Sequence, residues 1–198
     1  MPDKIEFIKV KLPVCTLSFP RLAKPEAFEG SGEEKFSATF LIEKNEDVSE
    51  IRNAIKKIMA TYHSGKSYAK DIREDYKCFG DGDDKDYDGF AGRFFLKGKS
   101  KKRIPCVDIR TRTGIDTSIP DEASKLYAGC QVKAVVSLFG YNYGGKKPGI
   151  GCTIQSIGKV NEGERLDGGD AMTDYQDDYD KYEDAAAGSE IGMDDLPF

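Results

Sequence analysis

Residues 130–143 read CQVKAVVSLFGYNY, and their alternation sets the fold. Cys130, Val132, Ala134, Val136 and Leu138 fall on one face of an extended chain, and Gln131, Lys133, Val135, Ser137 and Phe139 on the other. A period of two sustained this long marks a half-buried strand. The same period runs through KFSATFLIE at 35–43, where Phe36, Ala38, Phe40 and Ile42 oppose Ser37, Thr39 and Leu41. GRFFLKGKS (92–100), RIPCVDIRT (103–111) and PGIGCTIQSIGKV (148–160) are further short strands between glycine-rich or charged turns. The opening KIEFIKVKLPVCTLSF (4–19) is long enough for a strand interrupted at Pro13. Many short strands joined by turns predict a mainly β fold, a small barrel or sandwich.

One helix breaks the pattern. In DVSEIRNAIKKIMATYHSG (47–65), Asp47 can cap the N-terminus while Glu50 reaches back. Ile51, Ile55, Ile58, Met59 and Tyr62 then form one apolar stripe, and Gly65 ends it. That stripe is core packing against the sheet. A short helical turn in PDEASKLYAG (120–129) stops at Gly129.

A chain of 198 residues holds one sizeable core and an extension, but hardly two full domains. No run of about 18 apolar residues exists to span a membrane. The N-terminus lacks a signal-peptide pattern, so a cytoplasmic protein is expected. Five cysteines (Cys15, Cys78, Cys106, Cys130, Cys152) are widely spaced and never form a C-x-x-C pair, which predicts reduced, mostly buried thiols.

Charge divides the chain. Residues 161–198 hold thirteen acids and two bases, a formal −11, whereas residues 1–160 hold 28 bases and 22 acids, or +6. A basic body with an acidic tail points to a nucleic-acid binder carrying an interaction or autoinhibitory segment. A merely solubilising tail on an ordinary domain is the bland alternative. Two regions follow: a folded domain over 1–160 and an acidic tail over 161–198, poor in aliphatics and expected to be disordered. Its Tyr175, Tyr179 and Tyr182 stand in helical register, compatible with a short helix on binding. The tail ends in Asp194, Asp195, Leu196, Pro197 and Phe198, an apolar plug behind two carboxylates.

Catalytic candidates are few. DGDDKDYDGFAG (81–92) holds Asp84, Asp86, Asp88 and Gly89 in the spacing that opens a calcium loop. The twelfth position, where a bidentate glutamate is needed, is Phe95. A solvated acidic turn is the plainer reading. A metal-dependent nucleic-acid enzyme or calcium module built on the Asp81–Asp88 turn remains the alternative. The lone histidine, His63, sits at a helix end and is expected to be exposed there. YGGKKPGIG (143–151) lacks the ending of a phosphate-binding loop. No enzyme, metal or cofactor is expected.

Bases interleaved with aromatics are the positive signal. Lys97, Lys99, Lys101, Lys102 and Arg103 follow Phe94 and Phe95, of which one ring faces inward and the other outward. Arg110 and Arg112 follow on the next strand, two apart and on one face. Tyr141 and Tyr143 precede Lys146 and Lys147. Single-stranded nucleic acid is held by this combination of a positive groove and flat rings. The expected contacts are Phe94, these lysines and arginines, Tyr141 and Tyr143. Phe36, Phe40 and Phe139 are expected in the core. A pure adaptor whose basic body binds protein is the remaining reading.

Three blocks then carry a specific resemblance: LSFPRLAKPEAFEG (17–30) with KFSATFLIEK (35–44), residues 81–108, and LYAGCQVKAVVSLFGYNYGGKKPGIGCTIQSIGKVNEGERLDGG (126–169). In order and spacing the body resembles a family of bacteriophage single-stranded DNA-binding proteins. The resemblance implies an OB-fold-like small barrel with one packed helix, and a protein that coats single strands without sequence preference during replication or recombination. The closing DDLPF is similar to the acidic tip of bacterial single-stranded DNA-binding proteins. That likeness implies docking of Asp194–Phe198 on phage or host replication and recombination proteins. The setting implied is the host-cell cytoplasm, with monomer and dimer both open.

Overall fold

A computed structural model describes residues 6–27, 33–67, 69, 72–73, 77–143 and 147–166, with the backbone alone at Tyr143. The chain divides into two units at 166/167, and every described residue lies in the first. The expectations for 167–198, including Tyr175, Tyr179, Tyr182 and the tip Asp194–Phe198, lie outside the described residues. So does Lys146.

The opening segment breaks in two around Pro13, giving β1 (Ile8–Lys11) and β2 (Cys15–Ala27). Then come β3 (Glu34–Glu43), α1 (Ser49–Thr61), β4 (Phe79–Asp81), β5 (Arg93–Ser100), β6 (Cys106–Asp108), β7 (Thr113–Ile115), α2 (Pro120–Ala123), β8 (Gln131–Tyr143) and β9 (Lys147–Asn161). Five strands close on themselves. β8 pairs with β2, β2 with β3, β3 with β5, β5 with β9, and β9 again with β8. The β5–β9 link is parallel and narrow, with Lys99 opposite Thr153. β1 lies along β8, β4 along β5, and the β6–β7 hairpin along β9. This is a mainly β, OB-fold-like barrel.

Alternation fills its interior. Leu17, Phe40, Leu96, Val132, Val136, Leu138 and Ile157 are fully shielded from solvent. Burying each of these side chains contributes about 1.5–3 kcal/mol. α1 covers β1 and β8 with Ile51, Ala54 and Ile58 buried. Asp47 accepts a hydrogen bond from the Ser49 N–H at 2.8 Å, which satisfies a donor of the first turn. The C-terminal end of the helix needs Gly140 below it, because a Cβ there would meet the Tyr62 ring at 2.5 Å.

Two expectations change here. β3 is buried on both faces, because Leu41 joins Phe90 and Phe95 in a second small core outside the barrel, with Leu166 packed on it. His63 is fully buried rather than exposed. The chain turns inward after α1, and His63 Nε2 donates to the Gly149 carbonyl at 3.1 Å while its ring meets Tyr62 edge-on. Burial lowers its pKa, with the carbonyl pulling the other way.

The five thiols are free and buried as expected. Burial pushes Cys78 up to about 12 and both Cys106 and Cys130 up to about 11, so they stay protonated and unreactive. Beyond β9, Glu162 pairs with Lys159 at 2.6 Å, Gly163 exchanges two 2.9 Å hydrogen bonds with the Tyr127 hydroxyl, and Leu166 N donates to the Ala128 carbonyl. Residues 162–166 are thereby strapped to the barrel. Among the described residues no helix is long and apolar enough to cross a membrane.

Candidate nucleic-acid interface

The phase of β5 decides what faces outward. Gly98 lies under Ile154, where a Cβ would sit 2.5 Å from Cγ1, so Phe94, Leu96 and Gly98 point to the barrel and Phe95, Lys97 and Lys99 away from it. Phe95 is taken up by the small core with Leu41 and Phe90, while Lys97 and Lys99 open on a groove of about 840 Å³. Lys35, Lys77, Lys97, Lys99, Lys101, Lys102 and Arg103 line it, and no acid does among the described residues. Its floor is apolar, from Cys78, Ile150, Cys152 and Ile154, and its β9 side offers Thr153 and Gln155.

The far end is aromatic. Phe139 lies on Gly151, a position where any Cβ would meet the ring at 2.5 Å. Phe7 packs against Phe139, tilted by 42° with centroids 5.1 Å apart, and Tyr141 follows at 6.3 Å. Three rings thus flank seven cations. Phe7 is 58% exposed, so it presents flat apolar surface at the groove's mouth.

The cations are not equivalent. Arg103 donates to the Ala23 carbonyl and to Thr117 Oγ1, and its guanidinium covers Phe36 at 5.3 Å. It props the wall. Lys101 and Lys35 share Glu33, whose carboxyl they hold below its ordinary pKa. Lys97 and Lys99 are also shifted down, but there the shift disfavours the charged form. Desolvation, then repulsion from Lys85 for Lys97 and from Lys35 and Lys97 for Lys99, lowers their pKa values. Crowded, partly desolvated ammonium groups are what an incoming polyanion relieves.

Of the residues expected from sequence, the groove brings together Lys97, Lys99, Lys101, Lys102, Arg103 and Tyr141. Phe94 is not among them. Its ring turns inward, 5.6 Å from Phe79, beneath Arg52 and Lys44. Arg110 and Arg112 sit in the turn between β6 and β7 rather than on a strand, and Arg112 adopts φ +59° to close it. Lys147 is exposed at the start of β9, outside the groove lining. The Tyr143 side chain lies outside the described residues. Sequence reasoning missed Phe7, Phe139, Lys35 and Lys77. Phe139 carried a readable signal, since it is in phase with Tyr141 two residues on. Phe7 did not, because its place beside Phe139 follows from the Ile8–Leu138 register.

The acidic turn is built differently from a metal loop. Asp81 accepts from the Asp83 N–H at 3.1 Å, Asp83 accepts from the Gly92 N–H, and Lys44 clamps both carboxylates. The Lys44 side chain and these backbone donors hold both acids below their ordinary pKa. Among the described residues no group of three or more histidine, cysteine or acidic side chains is placed to hold a metal ion.

A family model described as the ssDNA-binding protein of Enterobacter phage Enc34 matches residues 8–187. This chain belongs to that family. Protein p50 of Acyrthosiphon pisum secondary endosymbiont phage 1 is 31% identical over 174 residues, spanning 82% of this chain and 88% of p50. The Enc34 family fold is shared with the bacteriophage Enc34 protein solved in complex with ssDNA, at TM-score 0.67 and 22% identity over 80% of this chain and 89% of that one. It is shared more distantly with gp2.5 of bacteriophage T7, a single-stranded DNA-binding protein, at TM-score 0.51 and 15% identity, covering 86% and 99%.

Proposed function

We propose that this member of the Enc34 family binds single-stranded DNA along the groove between β5 and β8–β9, coating it without sequence preference during phage replication or recombination. Seven bases and three rings line the groove, with no acid among the described residues, and that lining carries the reading. Cations neutralise phosphates, and ring faces take bases of any identity. Phe139 and Tyr141 are the proposed stacking rings, and Lys97, Lys99 and Lys102 the proposed phosphate contacts. The family membership and the solved Enc34 complex support the same ligand. The protein works by binding and catalyses no reaction. Its acidic tail recruits phage or host replication and recombination proteins through Asp194–Phe198 and competes with DNA for the groove.

Titration of fluorescent oligo-dT with a chelator present tests this. Tight binding without strand cleavage is expected. Cleavage on adding a divalent metal would favour a nuclease, and no binding at all would favour an adaptor.

A further inference from the structure

Among the described residues six large hydrophobic side chains stand exposed: Phe7, Phe19, Tyr87, Val107, Ile109 and Ile119. Phe7 belongs to the groove. Phe19 and Tyr87 touch and form a second site, and Val107 and Ile109, side by side over Gly158, form a third. The last two lie outside the groove lining and the proposed DNA contacts do not use them.

Phe19 and Tyr87 make a deliberate pair. Phe19 sits at a break in the β2–β3 register with φ +46°, a region that bulky residues rarely enter. Its ring meets Tyr87 edge-on at 5.5 Å, and both rest on buried Phe90. Asp86 and Asp88 flank Tyr87 in the chain and Asp84 precedes them, all three exposed and with no ion pair among the described residues. Phosphates would be repelled there. A partner for this patch is apolar and basic.

The third site has that chemistry. Val107 and Ile109 project from the β6–β7 hairpin, and Ile109 is seated on Gly158, where a Cβ would come within 2.6 Å. Asp108 accepts from the Arg110 and Thr111 N–H groups and so rigidifies the tip. Arg110 and Arg112 stand exposed on it, with no ion pair among the described residues. Arginine over an aromatic face beside carboxylates is a favourable pairing.

We propose that the Phe19–Tyr87 patch of one molecule receives the Arg110–Arg112 hairpin tip of a second copy of this chain. The two surfaces differ, so the contact is heterologous and propagates in a row instead of closing a dimer. Each contact is weak alone and takes effect when a shared strand holds neighbours at high local concentration. The proposal rests on the single-strand reading for its setting, and it predicts cooperative coating.

Binding isotherms on two oligo-dT lengths test it. The parent should bind a strand spanning several molecules steeply, and a short one filling a single groove without cooperativity. R110E/R112E should flatten the long-strand isotherm while holding short-oligomer affinity within about twofold, because rim charges act at the neighbour contact and not in the groove. Adding D86R/D88R to that variant should restore the steepness. The proposal is overturned if the parent is non-cooperative, if R110E/R112E leaves the steepness intact, or if the four-residue swap fails to restore it. It is equally overturned if the double reversal weakens the short oligomer as much as the long one, since the arginines would then touch DNA. A parent that fails to bind the short oligomer strikes the single-strand reading instead. Sedimentation of DNA-free protein then decides: association at high concentration that R110E/R112E abolishes upholds the contact, and its absence removes it.

Discussion

The ring of Phe139 lies on the backbone of Gly151, so close that a Cβ at position 151 would sit 2.5 Å from Cζ. Gly151 therefore holds the platform flat. Gly151→Ala should tip the ring, lower oligo-dT affinity by about 1 kcal/mol or more, and leave melting nearly unchanged. Anisotropy titration beside a thermal melt checks this, and unchanged affinity would show that the ring's pose does not matter.

Phe94 and Tyr141 should part company. Tyr141→Ala is expected to weaken binding by about 1–3 kcal/mol with little loss of stability. Phe94→Ala removes a ring packed against Phe79 and the barrel core. It should destabilise by up to about 3 kcal/mol while the folded fraction binds as before. Reversed outcomes would put Phe94 back among the DNA contacts.

Salt should reveal the phosphate contacts. If about five groove cations neutralise phosphates, log K falls with log salt at a slope of roughly −3.5, and Lys102→Ala lowers that slope by about 0.7. Arg103→Ala should differ, since its guanidinium is committed to Ala23 and Thr117. Melting temperature should drop more than the slope.

Alkaline pH should weaken binding early. Lys97 and Lys99 titrate below the ordinary lysine value of 10.5 in the free protein, and only their charged forms attract phosphate. Affinity is thus full below their lowered pKa values and lost as pH rises through them. Lys97→Arg should shift the loss to higher pH, as guanidinium stays charged. An unchanged profile would remove Lys97 from the contact set.

For the tail, deleting residues 170–198 removes ten acids and one base. The truncated chain should bind single strands tighter, most clearly at low salt. Deleting Phe198 alone should leave DNA affinity intact and abolish capture of replication proteins. A truncation that gains nothing at low salt would end the competition model, and a Phe198 deletion that keeps its partners would end the docking one.

Much of this was legible in the sequence because alternation and amphipathic stripes are local. The phase of 130–138 and the Ile51–Ile58 stripe both survive in the structure. What failed were long-range matters. Phe95 is in phase with Lys97 and Lys99, yet Leu41 and Phe90 bury it, so neither ring of the Phe94–Phe95 pair is open. His63 goes inward because a carbonyl 86 residues away receives it. Arg110 and Arg112 looked like a strand face until Asp108 folded the chain into a turn. Phe7 became a groove residue only once β1 found its register on β8.

The barrel meets itself between β5 and β9 through a single paired position, Lys99 with Thr153. The groove lies across that join, with Lys97 and Lys99 on one bank and Thr153 and Gln155 on the other. A strand lying there would act as a staple, tying two banks that the backbone itself barely stitches. Amide exchange along β5 and the facing stretch of β9 should therefore slow on DNA binding by more than in β2 or β3. Bound DNA would then supply mechanical integrity to the barrel itself.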